Sequence, residues 1–360
     1  MPEEIVTDFV VEADVTPAWS LAADFHLLRS LERGPGRRAA LRVWSFGGDV
    51  VSLGRYHLAP RGAGTSARGP LLHRRATGGR AVPSGEGFVG FSFLLPHRSA
   101  LFSDDPLFLS PEQIPNRYVR GLLGGLETLG LRGFYPGRDF VTLEGKPLAM
   151  VTFEETETGG LLFECVLAVG RNFAVLPRFL DTVDPEGEVK IALLEADSVT
   201  SLSEVLGRAP SFEEVAEALC VGYEGRFGIR CVRRTWSTLE REALAARARE
   251  YSESRWLLGR VRRPDLPGHA IRWAQLGAFE VYFRLSGPRI LGEAEFAGDF
   301  IANSEGLFSF ERALRGAALE RSALENIVRT FYGGKKNYIL GIGRPEVLVD
   351  FLLEATGTGI

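Results

Sequence analysis

The densest run of chemistry-bearing residues in the 360-residue sequence is His73-Arg74-Arg75-Ala76-Thr77-Gly78-Gly79-Arg80-Ala81-Val82. Two adjacent arginines lead into a Thr-Gly-Gly turn at the end of an apolar stretch. Glycines there let backbone amides approach a ligand closely and form an anion-binding nest. Guanidinium groups alongside suit phosphate or carboxylate through their planar fork. The same residues also make a Gly-rich hairpin with solvated arginines, so the run alone leaves both readings open. Downstream, Gly85-Glu86-Gly87-Phe88-Val89-Gly90 spells G-x-G-x-x-G. A dinucleotide fingerprint must follow a strand and open a helix. These glycines run into FSFLLP, a strand, and the motif is rejected.

Thirty-eight of the forty-two basic residues are arginine, so the four lysines, Lys146, Lys190, Lys335 and Lys336, stand out. Lys146 lies in a Glu-Gly-Lys turn, which suits an exposed hairpin lysine and a charge-stabilising one equally. Cys165, in the apolar frame LLFECVLAV, reads as a buried, inert thiol, and Cys220 as a core residue of a helix. With Cys231 these thiols are too few and scattered for a disulfide framework. No Cys-x-x-Cys or paired-histidine spacing points to zinc. His57 and His73 read as hydrogen-bonded wall residues, and Asp104-Asp105 and residues 181–188 as solvated loops.

The elements that must position these residues are legible in outline. Thr16 caps and Pro17 opens a helix over SLAADFHLLRSLER. Short apolar runs broken by glycine follow at 40–46, 50–56, 70–77 and 88–96, each strand-sized. A helix is predicted from about Pro111 to Leu129. After it come strands at 139–145, 147–155 and 160–170, with turns at Glu144-Gly145 and Thr158-Gly159-Gly160 that make an antiparallel meander. Two capping boxes, Ser211 with Glu214 and Ser237 with Glu240, open further helices. Residues 254–268 read as a linker or as the entry loop of a lobe. Residues 279–300 read as a hairpin turning at Ser286-Gly287, and two helices follow near Ala323–Tyr332 and Pro345–Glu354.

The fold class predicted is α+β, a mixed and mostly antiparallel sheet flanked by helices, with a smaller α+β domain behind it. The expected domains are 1–245 and 250–360. A net charge of −4, with 45% hydrophobic and 24% charged residues, excludes a broadly basic nucleic-acid surface. No apolar run reaches the roughly 18–20 residues of a membrane span. Residues 1–15 are acidic, without a signal peptide's basic segment, so a cytoplasmic location is expected.

Arg-Arg-x-Thr-Gly-Gly-Arg-Ala-Val at 74–82 resembles the substrate-binding loop of the biotin/lipoate ligase and octanoyltransferase superfamily, specifically of lipoate-protein ligases. The helix around Phe25–Leu31, then Trp44 and Val51-Ser52-Leu53-Gly54-Arg55, is similar to that family's N-terminal helix and its strand ending in Gly-Arg. Phe91-Ser92-Phe93, Pro136-Gly137-Arg138-Asp139-Phe140-Val141 and Gly145-Lys146 resemble later family segments, and 250–360 resembles the ligases' accessory domain. The resemblance implies an enzyme that uses ATP and Mg²⁺ to turn lipoate into lipoyl-adenylate. The acyl group would then pass to a lysine of a lipoyl-domain carrier, glycine cleavage H protein-like or 2-oxoacid dehydrogenase E2-like. It implies that Arg74, Arg75 and the loop Thr77, Gly78, Gly79, Arg80, Ala81 and Val82 bind the lipoyl-adenylate. Lys146 would be the catalytic cation and Asp139 a Mg²⁺ ligand.

Three stretches depart from the family pattern. Pro83-Ser84-Gly85-Glu86-Gly87 stands where an aromatic, His-Asp and Gly-Asn are usual. Pro147-Leu148-Ala149-Met150 replaces a Ser-Gly-Ser-Ala run, and Phe163-Glu164-Cys165-Val166 replaces a His-Gly-Thr strand. These changes keep open a paralogue that binds an acyl ligand or carrier without catalysis, or with altered specificity. An ATP-independent octanoyl or lipoyl transferase would need a thiolate nucleophile. The position where such relatives carry it is held here by Phe134-Tyr135-Pro136.

Overall fold

The computed structural model describes residues 5–34, 38–63, 69–191 and 195–357; positions 1–4 of the acidic N-terminal stretch and the last three residues lie outside them. The chain opens with a strand that the acidity of residues 1–15 concealed, β1 (Ile5–Val15), which buries Ile5 and Phe9. Helix α1 (Pro17–Arg33) follows, with Thr16 Oγ1 accepting the Trp19 amide at 3.2 Å, as the cap residue predicts. It returns the chain to β2 (Ala39–Phe46), parallel to β1. Next come β3 (Val50–Leu53), β4 (Leu71–Arg74) and β5 (Val82–Pro83), a small separate sheet of order β4-β3-β5 with β4 parallel to β3.

Strand β6 (Phe88–Leu95) and helix α2 (Gln113–Thr128) lead into the meander β7 (Phe140–Leu143), β8 (Lys146–Glu155) and β9 (Leu161–Ala168). Helices α3 (Leu176–Val183), α4 (Leu202–Leu206) and α5 (Phe212–Phe227), strand β10 (Ile229–Arg233) and helix α6 (Thr238–Ser252) complete the larger lobe. The main sheet has the order β10-β1-β2-β6-β9-β8-β7, parallel at the β10 end and antiparallel from β2 onward. This is the mixed, mostly antiparallel architecture expected. Ser237 and Glu240 make a full capping box on α6. On α5 only half of one forms: Ser211 accepts the Glu214 amide, while the Glu214 carboxylate pairs with Arg208 instead.

Helices α2 and α5 cover one face of the sheet over the main apolar core; α1 and α6 cover the other. The α2–α5 crossing is close because it runs over glycines. A Cβ on Gly222 would stand 2.2 Å from the Gly125 amide nitrogen and 2.3 Å from the Gly121 carbonyl oxygen.

A short helix, α7 (Ser254–Leu257), sits in the stretch read as a linker. Beyond it, β11 (Gly268–Trp273), β12 (Ala278–Gly287) and β13 (Ile290–Gly298) form an antiparallel sheet. The β12–β13 turn is made by Pro288-Arg289, with Gly287 paired to Ile290, two residues beyond the turn expected from sequence. Strand β14 (Ile301–Ala302), helices α8 (Ser304–Ala313) and α9 (Arg321–Tyr332), strand β15 (Ile339–Leu340) and helix α10 (Val347–Ala355) finish the chain. Helix α8 adds a third helix to the two expected. Residues 279–353 carry their own apolar core, which takes in Tyr56 from the larger lobe. Leu276, Ile301 and Tyr338 in turn join the main core. Among the described residues no helix is long and apolar enough to cross a membrane.

Gly222→Ala should lower stability by about 1–3 kcal/mol, because the new methyl meets backbone that no rotamer change can relieve. A denaturant midpoint equal to wild type would show that the two helices slide apart without cost.

Candidate functional site

The Thr-Gly-Gly loop leaves β4 and returns through β5, and its shape is set by a buried arginine. Arg75 is 1% exposed. Its Nη1 donates to the Ser52 carbonyl at 2.8 Å, and its Nη2 donates to the carbonyls of Gly78 at 2.9 Å and Arg80 at 2.7 Å. Burial pulls its pKa down, opposed by the nearby Glu164, Asp299 and Asp139. Thr77 Oγ1 donates to Glu164 Oε2 at 2.7 Å, and Thr152 Oγ1 donates to the Gly78 carbonyl at 3.0 Å. Thr152 and Glu164 are cross-strand partners on β8 and β9, so the meander presents one donor and one acceptor to the loop side by side. Arg55 N–H donates to the Thr77 carbonyl at 2.9 Å, closing the remaining side.

The smaller lobe sits directly on this loop. The Gly79 amide donates to the Phe300 carbonyl at 2.7 Å. Gly78 permits that approach, since a Cβ there would stand 2.4 Å from the same oxygen. The Phe300 ring stacks on Tyr56 at 4.7 Å between centroids, and Tyr56 Oη donates to the Ala302 carbonyl at 2.7 Å. Glu154 on β8 accepts the Ser304 amide at 2.7 Å, so a carboxyl of one lobe caps helix α8 of the other. Burial pushes the Glu154 pKa up to about 8, against the backbone amide of Ser304 and the charge of Arg55. Neighbouring Glu155 is raised to about 7, also by burial, although Arg98 pairs with it at 2.8 Å.

Arg80 is the loop arginine not consumed by backbone carbonyls. Its Nε donates to Asp139 Oδ2 at 2.6 Å, and its guanidinium lies 5.4 Å from the Phe140 ring centroid. Burial raises the Asp139 pKa, opposed chiefly by Arg80. Beside Arg80 a small cavity, lined by Ala81, Val82, Phe140, Leu176, Ile191 and Asp299, has a volume of about 10 Å³, room for about one water molecule. Asp139 borders a larger one of about 200 Å³ with Tyr135, Arg138, Leu276 and Ile301. Asp299 Oδ1, in turn, lies 3.0 Å from His57 Nε2.

Three residues expected at the site stand differently. Arg74 is fully buried, and its guanidinium donates to the carbonyls of Leu257, Gly54, Arg55, His57 and Arg260. It braces the 254–260 stretch to the larger lobe and leaves no fork for a ligand. Burial, with Arg55 and Arg260 nearby, lowers its pKa to about 9. Asp139, expected to bind Mg²⁺, is 2% exposed and already engaged by Arg80. A metal ion at this carboxylate would have to displace the Arg80 guanidinium from Oδ2. Lys146 is exposed at the β7–β8 hairpin. A bulge between Val141 and Thr142 pairs it with Leu143, whose side chain belongs to the α2–α5 face, whereas Phe140 and Met150 lie on the loop's side. A one-residue bulge exchanges the faces of the residues beyond it. From Lys146 to Thr152, which holds the loop, the strand runs six residues, about 20 Å at roughly 3.3 Å each. The structure therefore gathers Arg75, Thr77–Val82 and Asp139, and leaves Lys146 and the Arg74 guanidinium apart.

Sequence reasoning gave no site role to Glu164, which it noted only as part of an altered stretch, nor to Thr152, Glu154 and Asp299. A visible signal existed for two of them, since Glu154 and Glu164 are carboxylates inside otherwise apolar strands. The only nearby thiol among the described residues, Cys165, is fully buried on the α2–α5 face, its pKa driven far up by burial and by Glu164.

A mixed sheet with helices on both faces, a Gly-rich loop held by a buried arginine and a second lobe seated over that loop define an acyl-ligase type of fold. The family model for the lipoyl protein ligase A/B catalytic domain matches residues 16–224, more than half of the chain, and the chain belongs to that family. Among solved structures it is similar to LipL1 of P. falciparum in complex with lipoate, at 13% identity and a TM-score of 0.70, covering 97% of this chain and 99% of that one. It is also similar to lipoate-protein ligase A bound with ATP, at 19% identity and a TM-score of 0.55 over 71% of this chain and 99% of the other. A bipartite lipoate protein ligase from Thermoplasma acidophilum, described with its E2 lipoyl domain, matches at 20% identity and a TM-score of 0.56, covering 72% and 99%. At these identities the likeness concerns the fold. No curated protein sequence matches the chain.

The buried carboxyl at the lobe junction gives a pH dependence of definite sign. Glu154 has a pKa of about 8 when folded against an ordinary 4.5, so the folded protein binds more protons than the unfolded chain between those values. Its contribution is fully present below about pH 4.5 and is lost as pH rises through about 8. Glu154→Gln should flatten that decline, read as unfolding midpoints from pH 5 to 8.5. Parallel profiles for wild type and variant would place the titrating group elsewhere.

Proposed function

We propose that the chain is a ligase that activates a lipoate-class carboxylic acid with ATP and passes the acyl group to a lysine of a lipoyl-domain carrier protein. In the first step a carboxylate oxygen of the acid attacks the α-phosphorus of ATP, forming the acyl-adenylate as pyrophosphate leaves. In the second, the carrier's lysine nitrogen attacks the acyl carbonyl, AMP leaves, and the nitrogen loses a proton. The observation that carries this reading is the Gly79 amide bonded at 2.7 Å to the Phe300 carbonyl. The loop grips an oxygen of its own chain, held by donors that need no rearrangement to grip a ligand's oxygen instead. Family membership supports the same reading, as do the structural neighbours in complex with lipoate and bound with ATP.

Each residue then has a stated task. Arg75 and Thr77 keep the loop rigid, and Gly79 offers its amide once residues 299–301 withdraw. Arg80 turns from Asp139 toward the phosphate, being the loop guanidinium whose partner is a side chain and not a carbonyl. Transfer without ATP through a cysteine is disfavoured, since the buried thiol of Cys165 is held protonated. A binding role without catalysis is favoured by one feature, the occupation of the Gly79 amide by the protein itself.

With ATP, Mg²⁺, lipoate and a lipoyl-domain acceptor, the protein should release pyrophosphate and add one lipoyl mass to the acceptor lysine. Tight lipoate binding with neither product would establish the non-catalytic reading, and product without ATP would establish a transferase. Arg80→Ala, combined with Asp139→Asn to avoid an unpaired buried charge, should cut pyrophosphate release by about 10²–10³, the usual loss for one positioned charge-stabilising donor. Lys146→Ala should keep close to the wild-type rate because its register sets it on the other face. A collapse of adenylation in that variant would mean that the β7–β8 hairpin re-registers when ligand binds.

A further inference from the structure

Two of the three cysteines meet although eleven positions separate them. Cys220 lies on α5 and Cys231 on β10, the edge strand of the main sheet. One ligand atom from each, together with a carboxylate oxygen of Glu224, all fall within 4.8 Å of one another. Glu224 is one helical turn beyond Cys220, so both side chains leave α5 on the same side. Glu224 Oε1 also accepts the Cys231 amide at 2.7 Å, which fixes the carboxylate against β10. Cys231 is half-buried, leaving a path from solvent.

A further polar group stands on the same face. Thr7 on β1 is the register partner of Cys231, and its Oγ1 is fully buried with no hydrogen-bond partner. Neighbouring strands bring such side chains within about 5 Å of each other. Arg233, on the same strand, does not compete for the thiols: it is taken up by Glu213 and by Glu217 at 3.1 Å.

We propose that Cys220, Glu224 and Cys231 form a binding site for a single thiophilic divalent cation of the zinc class. Two thiolates and one carboxylate suit a borderline-soft tetrahedral ion and not Mg²⁺ or Ca²⁺, which take oxygen ligands. The fourth position goes to a water that Thr7 Oγ1 can hold. The ion ties α5 to the edge strand, at the opposite side of the sheet from the Thr-Gly-Gly loop. Its failure would leave the ligase reading untouched, since the two share no residue.

Co²⁺ titrated into the metal-free, reduced full-length protein tests the site, with Zn²⁺ as competitor. One equivalent should bind with a thiolate-to-cobalt charge-transfer band that Zn²⁺ abolishes. Cys220→Ser and Cys231→Ser should each weaken the band and the affinity, while Cys165→Ala should retain both. Glu224→Gln should weaken binding at least as much as the roughly 10–100-fold typical of losing a supporting partner. In the unmodified protein Zn²⁺ should slow alkylation of Cys220 and Cys231, a readout that survives if a variant fails to fold. Absence of saturable uptake, uptake indifferent to Cys231→Ser, or alkylation unaffected by Zn²⁺ would overturn the proposal. So would a Cys220–Cys231 disulfide formed with peroxide in a protein that takes up no metal.

Discussion

The Arg75 guanidinium is the interaction on which the rest of the site depends. A buried cation normally takes a carboxylate, but Arg75 spends its terminal nitrogens on three backbone carbonyls, of Ser52, Gly78 and Arg80. Those bonds tie β3 to both ends of the glycine turn, and the carboxylates of Glu164, Asp299 and Asp139 balance the charge from a distance. The loop is therefore rigid before any ligand arrives. A loop of two adjacent glycines would otherwise lose much conformational entropy on ordering. Here that cost falls on folding, and ligand binding is spared it.

Rigidity on one side makes the lobe contact specific on the other. Phe300 presents its carbonyl to Gly79, Tyr56 closes the stack, and Glu154 caps α8. All three meet within buried surroundings. The contact is nevertheless built from groups that stand near a balance. Glu154 and Glu155 are both shifted toward neutrality by burial, so desolvation outweighs their partners. A junction of this kind holds the lobe in register without making its release prohibitive, which suits a loop whose amide must be exposed for work.

Arginine serves three separate purposes within a few residues. Arg74 fastens the 254–260 stretch, Arg75 shapes the loop, and Arg80 pairs with Asp139. The fork geometry that suits phosphate equally suits a cluster of carbonyl oxygens. Residue type alone therefore does not separate a ligand-binding arginine from a structural one; the identity of the acceptor does.

Local physical chemistry made much of the chain legible in sequence. The Thr16 and Ser237 caps, the turns of the β7–β8–β9 meander and the nest at Thr77–Gly79 are written in consecutive residues, because their hydrogen bonds close within a few positions. Strand β1 escaped notice because half-buried Asp8 and Glu12 and exposed Asp14 interrupt its apolar residues. The remainder was decided only by tertiary structure. A single bulge in β8 sets the face of Lys146, the carbonyls that meet Arg74 come from segments about 20 and 185 residues away, and Glu154 caps a helix 150 residues on. Cys220 and Cys231 read as unrelated until α5 and β10 lay side by side. Register, desolvation and the pairing of distant polar groups arise from the packing of whole elements, and no local spacing of residues encodes them.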